Sequence, residues 1–349
     1  MDKTEINKQI ETTMLEMSKD PRNADHYHTL ARLYAMESKY DKVFSVYESL
    51  LNLHPNDFQA IINLGSLWFY QKDYPKSLSF YLKAAELEPL NYVVFFNLGN
   101  VFAEMKNFSK ALSYYNRAID LNSTNPEIYN SVALLFHDFQ DFIEAKAYYE
   151  KALHLDKDNL NAHIDLGNVC FKLFDYATAL VHYKKVFELT PLDKTVAVCI
   201  GNTLTAMKNK EEANEYYEKA LAIEGNNYKT YICKAISESD FKDYDAAIES
   251  YNKAISEDPK IINAYILLGN LYSNLNQLDK AQEQYEKALK INQNDANIHM
   301  LIANAHYMQE NIEQALISYR VAIKLQPGND EYKLVYIQIL DEYIEQKEN

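Results

Sequence analysis

Glycine, proline and cysteine are scarce in this 349-residue chain, with seven, eight and three copies. With so few turn formers, and no Ser/Gly-rich or Pro-rich stretch, nothing reads as an interdomain linker. Cys170, Cys199 and Cys233 are odd in number and far apart, which excludes a disulfide framework and suits a reducing compartment. Arginine is rarer than lysine, limited to Arg22, Arg32, Arg117 and Arg320, so the bidentate forks that grip phosphate are few. Basic residues number 35 against 50 acidic, and the net charge of −15 repels nucleic acid and anionic membranes at long range. Nowhere do 18 apolar residues run together, and the N-terminus has neither an apolar h-region nor a cleavage site. The expectation is a soluble cytoplasmic protein that binds no nucleic acid and no membrane.

Catalytic signatures are missing as well. There is no G-x-x-x-x-G-K-[ST], no G-x-G-x-x-G and no H-E-x-x-H. His299 and His306 lie two helical turns apart, at positions that suit stacking better than metal ligation. The chain is therefore expected to be no enzyme, with no cofactor and no metal.

What the chain does have is an uninterrupted 34-residue period, with units starting at residues 24, 58, 92, 126, 160, 194, 228, 262 and 296. Each unit carries two apolar stretches at three-to-four spacing, which predicts a helix pair, A then B. Position 8 is Gly or Ala in all nine units and holds five of the seven glycines, at Gly65, Gly99, Gly167, Gly201 and Gly269. Glycine in mid-helix costs roughly 1 kcal/mol against alanine, so close approach of another backbone is expected there. Position 24 is Tyr in all nine units, from Tyr47 to Tyr319, a large ring on helix B opposite a small residue on helix A. Positions 20 and 27 are Ala in seven units each, where anything larger overpacks. Position 34 is Asn or Asp in eight units, the expected N-cap of the next helix A.

This pattern resembles the tetratricopeptide repeat, whose 34-residue unit has Leu-Gly, aromatic, Ala, aromatic, Ala and Pro at these places; Asn63-Leu64-Gly65 and Asn97-Leu98-Gly99 are the clearest copies. The resemblance implies an all-α, right-handed superhelix, an α-solenoid with helices A lining a concave groove. Residues 24–329 are expected to form nine repeats, with capping helices at 1–23 and 330–349.

Function is expected at helix A positions that point away from helix B. Position 5 is apolar in seven units, at Ile62, Phe96, Ile164, Val198, Ile232, Ile266 and Met300. Position 9 is Asn in five, at Asn100, Asn168, Asn202, Asn270 and Asn304. An apolar row beside an amide row suits an extended peptide, because an amide both donates to and accepts from a peptide backbone. Changing Asn168 and Asn202 to Ala is expected to abolish binding at little cost in stability. The repeats are also similar to the superhelix of O-linked N-acetylglucosamine transferase, whose asparagine ladder lies at position 6; only Asn63 and Asn97 match it. The carboxylate clamp of chaperone-binding relatives is absent, since no Lys occupies position 5.

The leading reading is a non-catalytic scaffold that binds a protein or peptide segment in its groove. The rivals are a self-assembling coat protein, hence a homo-oligomer, and the recognition arm of a separate enzyme such as a glycosyltransferase. Repeat seven departs from the code with Lys234 and Glu238 at apolar positions, and both are expected to reach outward to solvent, the alternative being a softened joint where the superhelix flexes.

Overall fold

The structure is a computed structural model and describes residues 3–348, so residues 1, 2 and 349 of the expected caps lie outside the described residues. Among the described residues the secondary structure is twenty α-helices, with no strand. The chain divides into two compact units, Met1–Asp175 and Tyr176–Asn349.

The first unit holds α1 (Lys3–Lys19), α2 (Ala24–Met36), α3 (Tyr40–Leu53), α4 (Phe58–Tyr70), α5 (Tyr74–Leu87), α6 (Tyr92–Glu104), α7 (Phe108–Leu121), α8 (Pro126–Asp138), α9 (Phe142–Leu155) and α10 (Leu160–Lys172). The second holds α11 (Tyr176–Leu189), α12 (Lys194–Ala206), α13 (Lys210–Ala222), α14 (Tyr228–Asp240), α15 (Tyr244–Glu257), α16 (Ile262–Asn274), α17 (Leu278–Ile291), α18 (Ala296–Met308), α19 (Ile312–Leu325) and α20 (Asp330–Glu348). Within each unit, successive helices pack side by side as the all-α solenoid that the repeat implies.

Side-chain size on facing helices explains the packing. The tyrosine rings of helices B are sunk into the stack, with Tyr149, Tyr217 and Tyr319 each only 1% exposed. At Gly65, Gly99, Gly201 and Gly269 the ring of the same repeat lies against the glycine. A Cβ added to Gly65 would stand 2.8 Å from Tyr81, and one added to Gly201 would stand 2.8 Å from Tyr217. The close approach expected at these four glycines is therefore made by an aromatic ring, not by a backbone. At position 20 of the second repeat, Ser77 replaces Ala and remains buried because its hydroxyl donates to the Gly65 carbonyl at 2.8 Å.

The turns are equally regular. Asp57, Asn91, Asn125, Asn159, Asp193 and Asp295 accept a backbone N–H at the start of the following helix, as expected of position 34. Asn227 is the exception. Its amide oxygen instead takes a bond from Lys194 Nζ at 2.7 Å, in a loop bent by Gly225 at φ +109°. Between helices A and B the chain turns through a residue in the left-handed region, nine times at intervals of 34, from Ser38 (φ 57°) to Glu310 (φ 63°), and never through glycine. At the first of these turns, Lys39 N–H reaches back to Tyr34 C=O at 2.9 Å and Ser38 N–H to Ala35 C=O at 2.9 Å, closing the helix with two reversed bonds.

Candidate binding face

Position 9 lies one residue after the Gly/Ala site on helix A, and the tyrosine ring that crosses that site brings its hydroxyl out beside it. Tyr115 donates to Asn100 Oδ1 at 2.7 Å, Tyr217 to Asn202 Oδ1 at 2.8 Å and Tyr285 to Asn270 Oδ1 at 2.8 Å; Tyr319 and Asn304 make the same bond. In the second repeat Ser66 takes the place of the amide, 2.9 Å from the Tyr81 hydroxyl. Each of these four amide oxygens thus accepts one hydrogen bond within its own repeat, which orients the side chain and leaves one lone pair of the oxygen beside its N–H donors.

Burial of the phenols raises their pKa above the ordinary value of 10.0, to about 12 at Tyr81, Tyr285 and Tyr319. They remain neutral hydrogen-bond donors at physiological pH.

Position 5 is divided between surface and packing. Ile62, Ile164, Val198, Ile266 and Met300 are half-buried. The Phe96 ring sits 6.0 Å from that of Tyr115. Ile232 is buried among Ala235, Ala247 and Leu268, so it offers no face to a ligand and is corrected to a core residue. At position 6, Asn63 donates to the Tyr47 hydroxyl at 2.7 Å and accepts from Gln59 at 3.1 Å, while Asn97 is half-buried and its amide makes no hydrogen bond. Asn168 is half-buried.

In the first unit a cavity of about 880 Å³ opens between α2, α3 and α4. Its apolar wall is Ala31, Val43, Phe44, Leu67 and the rings of Tyr40, Tyr47 and Tyr70, with Tyr70 81% exposed at the rim. Its polar groups are His28, Arg32, Gln59, Asn63, Ser66 and Gln71. Arg32 is exposed and unpaired, and no carboxylate stands in the lining. His28 is 3.2 Å from Asp57 through Nε2, leaving a buried Nδ1 without a partner. Of the cavity's residues, only Asn63 was expected from the sequence as a binding residue. The signal was available, because the first repeat places His28 and Arg32 where other units place an apolar residue and Asn.

Repeat seven corrects a second expectation. The side chains of Lys234 and Glu238 are only 15% and 13% exposed, lying 3.6 Å apart, instead of reaching outward. Lys234 also meets Glu218 at 2.6 Å, and Ser250 donates to Glu238 at 2.6 Å. Beside them, buried Thr205 and Ser237 are bonded at 2.6 Å. The inward charges are thus paired and hydrogen-bonded, which makes their burial tolerable.

The three cysteines are free thiols, Cys170 buried and the other two half-buried. Burial pushes Cys170 and Cys199 up to about 11, which makes them poor nucleophiles. Among the described residues no group of three or more His, Cys, Asp or Glu is placed to hold a metal ion, and no described helix is long and apolar enough to cross a membrane.

Tetratricopeptide-repeat family profiles match residues 92–125, 126–159, 200–227 and 240–305. Among solved structures, a tetratricopeptide repeat protein from Parabacteroides merdae is 18% identical, with a TM-score of 0.56 over 71% of this chain and 98% of that one. MamA protein is 20% identical, with a TM-score of 0.45 over 49% of this chain and 94% of that one. The Cut9–Hcn1 hetero-tetramer of the APC/C gives 17% identity and a TM-score of 0.47, over 91% of this chain and 64% of that one. No curated protein matches the sequence. The profiles thus detect tetratricopeptide repeats in these stretches, and the fold is an all-α solenoid like that of the Parabacteroides merdae protein.

Proposed function

We propose that the chain is a non-catalytic protein-interaction scaffold that holds an extended peptide on the exposed faces of its helices A, anchored in the cavity of the first unit. The observation that carries this reading is the cavity itself. It combines aromatic walls, one unpaired guanidinium and no carboxylate, in a chain of net charge −15. A bulky apolar side chain fills such a site, and a carboxylate or backbone carbonyl of the same segment accepts from Arg32. Asn97 and the free N–H groups of Asn100 extend the donor surface along the same unit, so the segment reads as one that presents acceptors.

Selection of displayed peptides against the natural chain tests the proposal. Enriched sequences are expected to pair an aromatic or large aliphatic residue with a carboxylate. Tyr70→Ala and Arg32→Ala are each expected to weaken the selected peptides about tenfold, the loss of roughly 1.4 kcal/mol, without shifting the melting temperature. Peptides that bind both variants as tightly as the natural chain would overturn the anchor.

A further inference from the structure

Position 7 of helix A is where one repeat stacks on the repeat before it. Val132 of α8 shares a core cluster with Ala111 and Tyr115 of α7, and Ile302 of α18 shares one with Ala281 and Tyr285 of α17. Every repeat but the seventh buries an apolar residue at this position, from Leu30 to Ile302. Repeat seven has Lys234. Its stacking is polar as a result, since Lys234 reaches back to Glu218 of α13 at 2.6 Å and Ser237 bonds Thr205 of α12 at 2.6 Å. The apolar cluster of α14, α15 and α16 lies within residues 228–275, and its described members include none from α13. A cleft of about 370 Å³ opens between α13 and α14, edged by Asn214, Lys234 and Phe241. The connection is altered too. Helix α13 stops at Ala222 after 13 residues where the other helices B run for 14, and the Asn227 side chain does not cap α14.

We propose that the second unit has a joint between α13 and α14, at which α14 to α20 part from α13 as one block. In a stacked array each repeat is held by its own fold and by the interface with its neighbour, so the weakest interface is where the array divides. An apolar contact is lost outright when two helices separate, whereas polar groups exchange their partners for water at little net cost. Glu218 is 55% exposed, so its pair with Lys234 is already solvated on one side and weak. Lys234 also keeps Glu238 3.6 Å away on its own helix, and Glu238 keeps the Ser250 hydroxyl of α15 at 2.6 Å. The parted face of α14 thus carries its own partners into water, where a leucine in the same place would be bare. Separation removes neighbours from one side of α13 and α14, and these two helices fray while the joint is open. The inference is independent of the peptide anchor, which lies in the first unit.

Hydrogen–deuterium exchange along the natural chain tests it. A stack without a joint is protected most in its middle and least toward its end, so α13 and α14 would exchange more slowly than α16 and α17. The joint reverses that order. Helices α13 and α14 are expected to exchange about tenfold faster than α16 and α17. Lys234→Ile combined with Glu238→Leu copies Ile200 and Leu204 of repeat six, which makes the interface apolar and is expected to slow exchange in α13 and α14 about tenfold, with α17 unchanged. Glu218→Gln, at an exposed site, removes the charged tie between the helices and is expected to speed exchange in α13 and α14 severalfold. Exchange in α13 and α14 as slow as in α16 and α17 of the natural chain overturns the proposal. So does a double variant that keeps its helical circular dichroism and leaves α14 exchanging as before. An unchanged α14 in Glu218→Gln overturns it as well, and that arm decides even if the double variant fails to fold.

Discussion

At the scale of single residues, the fold rests on a size rule: where helix A is smallest, helix B is largest. A methyl at Gly65 or Gly201 already comes within 2.8 Å of a ring carbon, closer than side chains tolerate, so Gly201→Val is expected to destabilise by about 1–3 kcal/mol through overpacking. Denaturant titration measures it, and a neutral outcome would show that the ring moves freely. Asn100→Ala leaves the Tyr115 hydroxyl without its acceptor and is expected to cost about 1–3 kcal/mol. The matching bond from Tyr217 to Asn202 argues for a similar cost at Asn202, where the sequence suggested little loss of stability. The phenols also set an alkaline limit. Their folded pKa lies above the unfolded value of 10.0, at about 12 for Tyr81, Tyr251, Tyr285 and Tyr319. A raised pKa contributes stability in full below pH 10 and loses it as the pH climbs toward 12, by about 1.4 kcal/mol per tyrosine per pH unit. Tyrosinate absorbance and helical circular dichroism are therefore expected to change together in that window; ionisation of all the rings with the helices intact would contradict their burial.

At the scale of helices and turns, the period was legible because each helix must present the same faces to its neighbours. Helices A begin at Ala24, Phe58, Tyr92 and so on to Ala296, the starts read from the repeat. Less was legible where a side chain had a choice of partners. Asn227 matches the cap position by type, but Lys194 claims its oxygen, a competition between residues 33 apart. Lys234 and Glu238 look like charges in search of water until their partners are known, Glu218 for the lysine and Ser250 for the glutamate. The left-handed turns also escaped notice, because no glycine marks them. A non-glycine residue there carries roughly 1–2 kcal/mol of strain. Lys72→Gly, at φ 62°, is accordingly expected to stabilise the first unit by on the order of 1 kcal/mol, read from its denaturation midpoint. The opposite sign would show that Lys72 contributes contacts that outweigh its backbone strain.

At the scale of the whole molecule, residues that stack are distinct from residues that remain free for a partner. Tyrosines and alanines recur because every repeat solves the same packing problem, and that recurrence made the architecture readable. The proposed peptide anchor arises instead where repeats differ, at His28, Arg32 and Tyr70, so periodicity could not reveal it. Hydrogen–deuterium exchange of the natural chain, with and without a selected peptide, tests this separation most directly. The expected result is slowed exchange concentrated in α2, α3 and α4, the helices that line the anchor. Slowed exchange confined to other helices, or none at saturating peptide, would contradict the account.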